Sequence, residues 1–410
     1  MTRTNEPKGS VEQADEPNEP EFTSIEICAG AGGQAIGLHQ AGFGHLALVE
    51  IDPHAAATLE KNVASHPKWV WEKENCDVLP PTDVNDFKQD KHLAKSAEVL
   101  HRRGLDLLAG GVPCPPFSHA GKQLGKDDER DLFPRMLALV KELNPRAVMI
   151  ENVRGIMDPK FDDYRGLIQA KLQSGWYRGD DGQMVWDDGM GYTVGEWDIL
   201  EASDFGVPQL RPRAILVAFR NDILKDVKYE WPAATHQDHV SVAEALEGSM
   251  RARYEPYFTG AQAEVARKKF DDWLDAAQKR HRVLAEKGGG IAPTLVGGSK
   301  KHGGADLGPS RAKAAWGQLG VDGLGVANDP DTCREKGTQK RDLFGENGPM
   351  LTVQQAAIIQ GFPPEWQFSG GKTAQYRQVG NAFPPPVARA VGKSIADVLR
   401  AARERDDKKA

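Results

Sequence analysis

The sequence predicts an α/β fold, a parallel sheet covered by helices, joined to a second, smaller and less regular domain. Three observations carry this expectation. Short apolar, strand-like runs alternate with helical stretches from residue 22 to about 220. A glycine-rich turn follows the first of those runs. Between 221 and 345 the texture changes to glycine-rich, basic, aromatic-bearing sequence with weak periodicity.

Taken in order, "FTSIEICA" reads as the first strand and "HLALVEID" as the second. Between them "GGQAIGLHQAGF" has helical apolar spacing and stops at Gly42, a residue that takes the left-handed turn ending a helix. Asp52 before Pro53 reads as an N-cap and first helical position, opening "PHAAATLEKNVAS". Further strands are expected at "LDLLAGG", "AVMIENV" and "AILVAF". After 345 a helical "TVQQAAIIQGF" and an apolar "PPPVARAVGKSIADVLRAA" are expected to pack back on the first domain. The expected divisions are a disordered acidic tail at 1–21, a main domain at 22–220, a second domain at 221–345, a return segment at 346–400 and a charged tail at 401–410.

Composition narrows the function classes. With 410 residues, 40% hydrophobic and 27% charged, the chain is long enough for a large core. No apolar run approaches the roughly 18 residues that span a bilayer, and the polar start has no signal-peptide core, so a cytoplasmic protein without membrane partners is expected. Cys28, Cys76, Cys114 and Cys333 lie far apart with no CxxC pairing, which suggests neither a disulfide framework nor a metal site and leaves Cys114 as a free thiol. The net charge of -7 argues against nucleic acid at first sight. Residues 1–21, however, carry two basic and six acidic side chains, and local basic clusters ("GGSKKHGG", "RAK", "ARKK") fall in the later half.

Four strands end in chemically notable residues, and in open α/β sheets ligands gather at those carboxyl ends. The first runs into "CAGAGG", the second into Glu50 and Asp52, the "LDLLAGG" strand into Cys114, and "AVMI" into Glu151 and Asn152. Gly30, Gly32 and Ala35 match the GxGxxG/A fingerprint, with Glu50 at the distance expected of a residue that binds ribose hydroxyls. That turn suits S-adenosylmethionine as well as it suits NAD. Asp77, in "ENCDVLP", is a candidate acceptor for an adenine amino group.

Several segments together resemble the DNA (cytosine-5) methyltransferases. "EICAGAGGQAIGLHQAGF" is similar to that family's first cofactor motif, "PCPPFS" to its nucleophile motif, "ENVRG" to its catalytic glutamate motif, "QLRPR" to its paired-arginine motif, and "LTVQQAAIIQGFPPEW" and "QVGNAFPPPVA" to its last two segments. The resemblance covers about 22–220 and 348–400 in the family's order, and 221–345 falls where the family has its variable target-recognition domain. It implies a Rossmann-like S-adenosylmethionine-dependent methyltransferase domain with a smaller, irregular target-recognition domain. The activity implied is methylation of carbon 5 of a flipped cytosine within a specific duplex DNA sequence. A cofactor site of Cys28, Ala29, Gly30, Gly32, Gly33, Glu50, Ile51, Asp77, Val78, Pro113 and Asn381 is implied, Asn381 lying in a Gly-Asn turn.

Carbon 5 of cytosine is too poor a nucleophile to attack a methylsulfonium unaided. Attack of the Cys114 thiolate on carbon 6, with a proton supplied at ring nitrogen 3 by Glu151, makes it enamine-like. Pro113, Pro115 and Pro116 restrict the backbone around the thiol and so aim it. By resemblance Arg213 holds the cytosine carbonyl, while Arg211 orients the site or meets a phosphate, with Asn152 beside the glutamate. A flipped base needs a closing loop; "SHAGKQLGKDDERDLF" resembles it, with Gly121 and Gly125 as hinges, Ser118 as a phosphate contact and Gln123 entering the duplex. Lys300, Lys301, His302 and Arg311 are candidates for phosphate or base contact in the target-recognition domain.

Three departures stand out: Cys28 where phenylalanine is common, Pro115 where glutamine is common, and Pro212 where an acidic residue usually separates the arginines. An NAD-dependent oxidoreductase would leave "PCPPFS", "ENV" and "QLRPR" unexplained. A tRNA cytosine methyltransferase would share nearly all the motifs, but the insert of about 125 residues at 221–345 is larger than a small enzyme of that kind needs. The expected partner is double-stranded DNA, met by a monomer in the cytoplasm and nucleoid, with any cognate restriction endonuclease acting separately.

Overall fold

The computed structural model describes residues 19–65, 67–112, 131–179, 181–284, 289–297 and 305–409. The first strand, β1 (Phe22–Ile27), is buried along its whole length, as a central parallel strand is, although Ser24 and Glu26 interrupt its apolar and β-branched residues. The helix Gly33–Gln40 follows and ends before Gly42, which has a φ of 98°. Next comes β2 (Phe43–Val49). Asp52 then caps the helix Pro53–Leu59, accepting from the backbone N–H groups of His54 and Ala55.

The short β3 (Asp77–Val78), β4 (Leu107–Gly111) and β5 (Ala147–Val153) complete the parallel part of a seven-stranded sheet. A separate hairpin of β6 (Gly175–Arg178) and β7 (Met184–Asp187) precedes β8 (Tyr192–Glu201) and β9 (Pro212–Arg220). The order in the sheet is β3-β2-β1-β4-β5-β9-β8.

The sheet is parallel from β3 to β5, as expected, and its last two strands depart from that pattern: β9 runs antiparallel to both β5 and β8. Only residues 202–211 separate β8 from β9, too few for the crossover a parallel neighbour needs. The strand β8 and the β6–β7 hairpin carry no clean alternation of apolar and polar residues, which hid them in the sequence.

Alternate residues of the strands feed opposite faces. Leu108, Ile150 and Leu216 pack with Phe133, Met136 and Val140 of the helix Phe133–Leu143. Leu107, Met149 and Ile215 pack with Val387, Val391, Ile395 and Leu399 of the helix Pro385–Asp407. The return segment thus docks where the sequence suggested. Residues expected in the two tails are tied to the fold. Glu19 pairs with Arg102 and Arg103, and Glu21 with Arg400. At the other end the final helix continues to Asp407, with Arg403 reaching Asp106 and Arg405 the Ile223 carbonyl.

The region 221–345 is less irregular than expected. It contains the helix Val242–Tyr254, opened by a capping box of Ser241 and Glu244, and the long helix Ala263–Leu284. The latter buries Ala266, Phe270, Trp273 and Ala277, a helical stripe concealed in the sequence by the charges around it. These residues share one apolar cluster with Ala31, Leu48, Leu59 and Trp366, so the region packs directly on the helical face beside β1 and β2.

Candidate active site

A cavity of about 770 Å³ opens at the carboxyl ends of β1, β2, β4 and β5, within the size range of small-molecule sites. From β1 it takes Cys28, Ala29 and Gly30, and from β2 Glu50, Ile51 and Asp52. Glu50 ties the two loops together. Its Oε2 accepts from the Gly30 N–H at 2.7 Å and its Oε1 from the Asp52 N–H at 2.8 Å. Burial raises its pKa against the lowering effect of those N–H groups.

Gly33 also lines the cavity, and a Cβ there would meet the Phe383 carbonyl at 2.2 Å. Gly32, at φ 88°, serves packing instead: its missing Cβ makes room for Trp366, whose indole N–H donates to the Ala31 carbonyl at 2.9 Å. Cys28 faces the cavity, but burial first and then Glu50 and Asp83 push its thiol well above the ordinary range. That shift disfavours the nucleophilic thiolate at this position.

Two cofactor expectations are corrected. Asp77 does not line the cavity; its carboxylate accepts from the Lys95 and Ser96 N–H groups at 3.1 Å and from Ser96 Oγ at 2.8 Å. Val78, its neighbour in β3, packs into the apolar cluster beneath. The cavity wall on that side is built by Thr82, Asp83, Val84 and Asn85, which lie beyond the short strand in a proline-led loop with no periodic signal. Asn381 does line the cavity, but as the last residue of the helix Lys372–Asn381 and not in a turn. Its neighbour Gly380 allows the backbone at Val296–Gly297 to pass close by: a Cβ there would lie 2.5 Å from the Gly297 nitrogen.

At the other end of the cavity stands Glu151, whose Oε1 is 2.7 Å from Nε of Arg213. Gly111 at the end of β4 clears its position, since a Cβ there would be 3.0 Å from Glu151 Oε2. Burial raises the Glu151 carboxyl, opposed by the Arg213 and Arg211 charges. Asn152 points away from this pair. Its Nδ2 donates to the Val112 carbonyl at 3.1 Å, so it holds the chain just before Pro113.

Arg211 is not a phosphate contact. It is 1% exposed, and its guanidinium donates to the carbonyls of Leu295 (2.7 Å), Gly380 (2.8 Å) and Ala382 (2.9 Å). Gln209, which sequence reasoning passed over, completes the same seam. It donates to Gln360 Oε1 at 2.6 Å and accepts from the Leu295 N–H at 2.7 Å. The seam joins β9, the 292–297 segment and the end of the helix that carries Asn381. A polar residue two places before Arg211 was the only available signal.

Cys114, Pro113, Ser118, Gln123, Lys300, Lys301 and His302 lie outside the described residues. Arg311 is exposed on the helix Ser310–Gly317, away from the cavity lining.

The comparisons with known proteins bear on this arrangement. A family model for C-5 cytosine-specific DNA methylases matches residues 22–397. The sequence is 45% identical over 385 residues to the Type II methyltransferase M.NaeI of Lentzea aerocolonigenes, covering 94% of this chain and 77% of that one. It is 42% identical over 389 residues to the Type II methyltransferase M.NgoMIV of Neisseria gonorrhoeae, covering 93% and 99%. The fold matches the solved structure of the Entamoeba histolytica methyltransferase EhMeth with a TM-score of 0.52 at 14% identity, covering 93% and 99%, a likeness of fold alone.

Proposed function

The chain belongs to the C-5 cytosine-specific DNA methylases, which transfer a methyl group from S-adenosylmethionine to carbon 5 of cytosine in DNA, and we propose that the cavity at the strand ends is where this chain does so. Its β1–β2 side suits the cofactor. Glu50 keeps acceptor capacity beyond its two backbone N–H partners, Gly33 leaves the space a side chain would fill, and Ile51 offers an apolar face, 61% exposed, at the rim. Asn381 and Asp83 close the opposite wall. Bound there, S-adenosylmethionine supplies an electrophilic methylsulfonium.

The β4–β5 side suits the flipped cytosine. The observation that carries this reading is the Glu151–Arg213 pair at 2.7 Å at the cavity end, with Gly111 keeping the space beside it clear. Glu151, drawn by burial toward its protonated form, donates to ring nitrogen 3. Arg213 donates to the ring carbonyl. Cys114, three residues beyond the end of β4 in sequence, attacks carbon 6 as the thiolate, forming a bond that breaks again when carbon 5 loses its proton to water. Asn152 acts one step back, through the Val112 carbonyl.

In this reading 22–220 and 346–400 form the catalytic domain and 221–345 reads the target sequence in duplex DNA, with Ser118, Gln123, Lys300, Lys301, His302 and Arg311 contacting it. The enzyme works as a monomer in the cytoplasm on the nucleoid, and a cognate endonuclease, where there is one, acts separately; the Type II names of M.NaeI and M.NgoMIV support that setting. Among the described residues no helix is long and apolar enough to cross a membrane.

Bisulfite sequencing of plasmid DNA from methylation-free cells tests the proposal. Wild-type protein is expected to protect cytosines in one short sequence, and Cys114→Ala to protect none. Fully converted DNA alongside soluble wild-type protein would sink it.

A further inference from the structure

We propose that Glu26 of β1 is held uncharged, with a hydrogen on Oε1, and that through His45 and Gln34 it positions the first turn of the helix Gly33–Gln40 under the cofactor cavity. This positioning role rests on the assignment of that cavity to S-adenosylmethionine.

Glu26 is 0% exposed and lies between β2 and β4 in the sheet. Its contacts among the described residues include no lysine or arginine. Oε2 accepts from Nε2 of Gln34 at 3.2 Å, and Oε1 lies 3.2 Å from Nδ1 of His45.

His45, on β2, is likewise 0% exposed. Its Nε2 is 3.0 Å from the Ala35 carbonyl, an atom that can only accept, so Nε2 carries the hydrogen. In a neutral ring Nδ1 is then an acceptor with one lone pair, 2.8 Å from the Ser24 hydroxyl and 3.2 Å from Glu26 Oε1. Two further acceptors in the cluster, Glu26 Oε1 and Gln34 Oε1, are buried without a donor among the described residues.

Every neighbour of Glu26 Oε1 is thus an acceptor or already committed. A carboxylate would set negative charge against the Nδ1 lone pair with no lysine or arginine among the described residues to offset it, whereas a hydrogen on Oε1 turns that contact into a hydrogen bond. The remaining ionisable neighbours do not change this. His39, on the same helix as Gln34, is paired with Glu72 at 3.0 Å, and Cys76 is a buried thiol whose pKa burial pushes up. Burial likewise pushes Glu26 up to about 8 and His45 down to about 4, which leaves both neutral between those values.

The consequence reaches the cavity by two short routes. Gln34 lines it, and the Ala35 carbonyl held by His45 belongs to the first helical turn after Gly30–Gly33. Loss of the hydrogen at alkaline pH would place a charge under that turn and loosen it.

The test compares the full-length wild type with Glu26→Gln, which keeps a neutral group that can donate. If only the protonated form binds well, the wild-type Kd for S-adenosylmethionine, relative to that of the variant, is flat near about pH 6.5 and rises roughly tenfold by about pH 9. Taking the ratio cancels the titration of the cofactor itself.

Unliganded protein gives an independent readout. The folded pKa of about 8 lies above the ordinary 4.5, so between those values the native state holds a proton that the unfolded state has lost. Wild-type stability therefore falls as pH rises through that window, and Glu26→Gln removes the slope. The variant's Tm is expected to exceed the wild type's by a margin that grows to about pH 8 and then stays constant. Infrared difference spectra between the two should show a protonated carboxyl band at neutral pH.

A variant less stable than the wild type at pH 8, no such band, or an imidazolium signature for His45 in nitrogen NMR would each overturn the proposal. Failure of the cavity assignment is a separate result: Ile51→Asp at the cavity rim would then leave cofactor affinity unchanged, while the Tm and infrared measurements still judge Glu26.

Discussion

Arg211 and Arg213 leave the same stretch of chain two residues apart, one into a buried seam and the other toward Glu151 at the cavity edge. In the seam, Arg211 donates to three backbone carbonyls, and Gln209 and Gln360 bond to each other and to the same segments. At the edge, Arg213 has Glu151 on Nε and the Pro212 carbonyl on Nη1, with no partner for Nη2 among the described residues. The seam ties both terminal nitrogens of Arg211 to backbone carbonyls of two other parts of the chain and leaves its Nε buried without a partner among the described residues. At the edge the guanidinium is paired instead with a carboxylate that lines the cavity. Burial alone does not separate the two kinds of site; what each guanidinium is paired with does.

The comparison breaks first, and with the largest effect, at Glu151. Glu151→Gln is expected to lower the single-turnover methylation rate by roughly 10²–10⁴ while leaving the unfolding transition nearly in place. The wild-type rate should fall as pH rises through the raised pKa of Glu151, because its useful form is the protonated one, and the variant's residual rate should lack that decline. A residual rate with the same alkaline decline would assign the titration to another group.

The arginines sharpen it next. Arg211→Met leaves three buried carbonyls without a donor and should cost on the order of 3–5 kcal/mol in denaturant unfolding. Arg213→Met should cost less stability than Arg211→Met and abolish most methylation, since its guanidinium pairs with Glu151 of the cavity lining. Equal losses of stability in the two variants would erase the distinction.

Asn152→Ala carries the smallest effect. Losing one buried hydrogen bond to the Val112 carbonyl should cost about 1 kcal/mol of stability and, by loosening the approach to Cys114, roughly tenfold in kcat with KM for DNA unchanged.

Much of the central sheet was legible because parallel strands buried on both faces must be apolar and must end where glycines and caps allow. The apolar run 147–150, Gly42 and Asp52 show those rules directly, whereas Phe22–Ile27 buries Ser24 and Glu26 among its apolar residues. Glu151 and Glu50 were legible as acids at strand ends. Hidden were β8, the β6–β7 hairpin and the helix Ala263–Leu284, whose apolar residues are spaced among charges and acquire meaning only against a partner surface.

By itself, then, the sequence determined most strands of the central sheet, the glycine loop and the acids at the strand ends, because these depend on local backbone freedom and on the chemistry of single side chains. Tertiary structure alone decided which of two arginines is tied to backbone carbonyls and which pairs with Glu151, that Asp77 holds Ser96 while Asp83 faces the cavity, and that no lysine or arginine among the described residues pairs with Glu26. Those outcomes depend on which groups from distant parts of the chain arrive within 3 Å or so of one another, and hydrogen-bonding capacity is divided only once they have met.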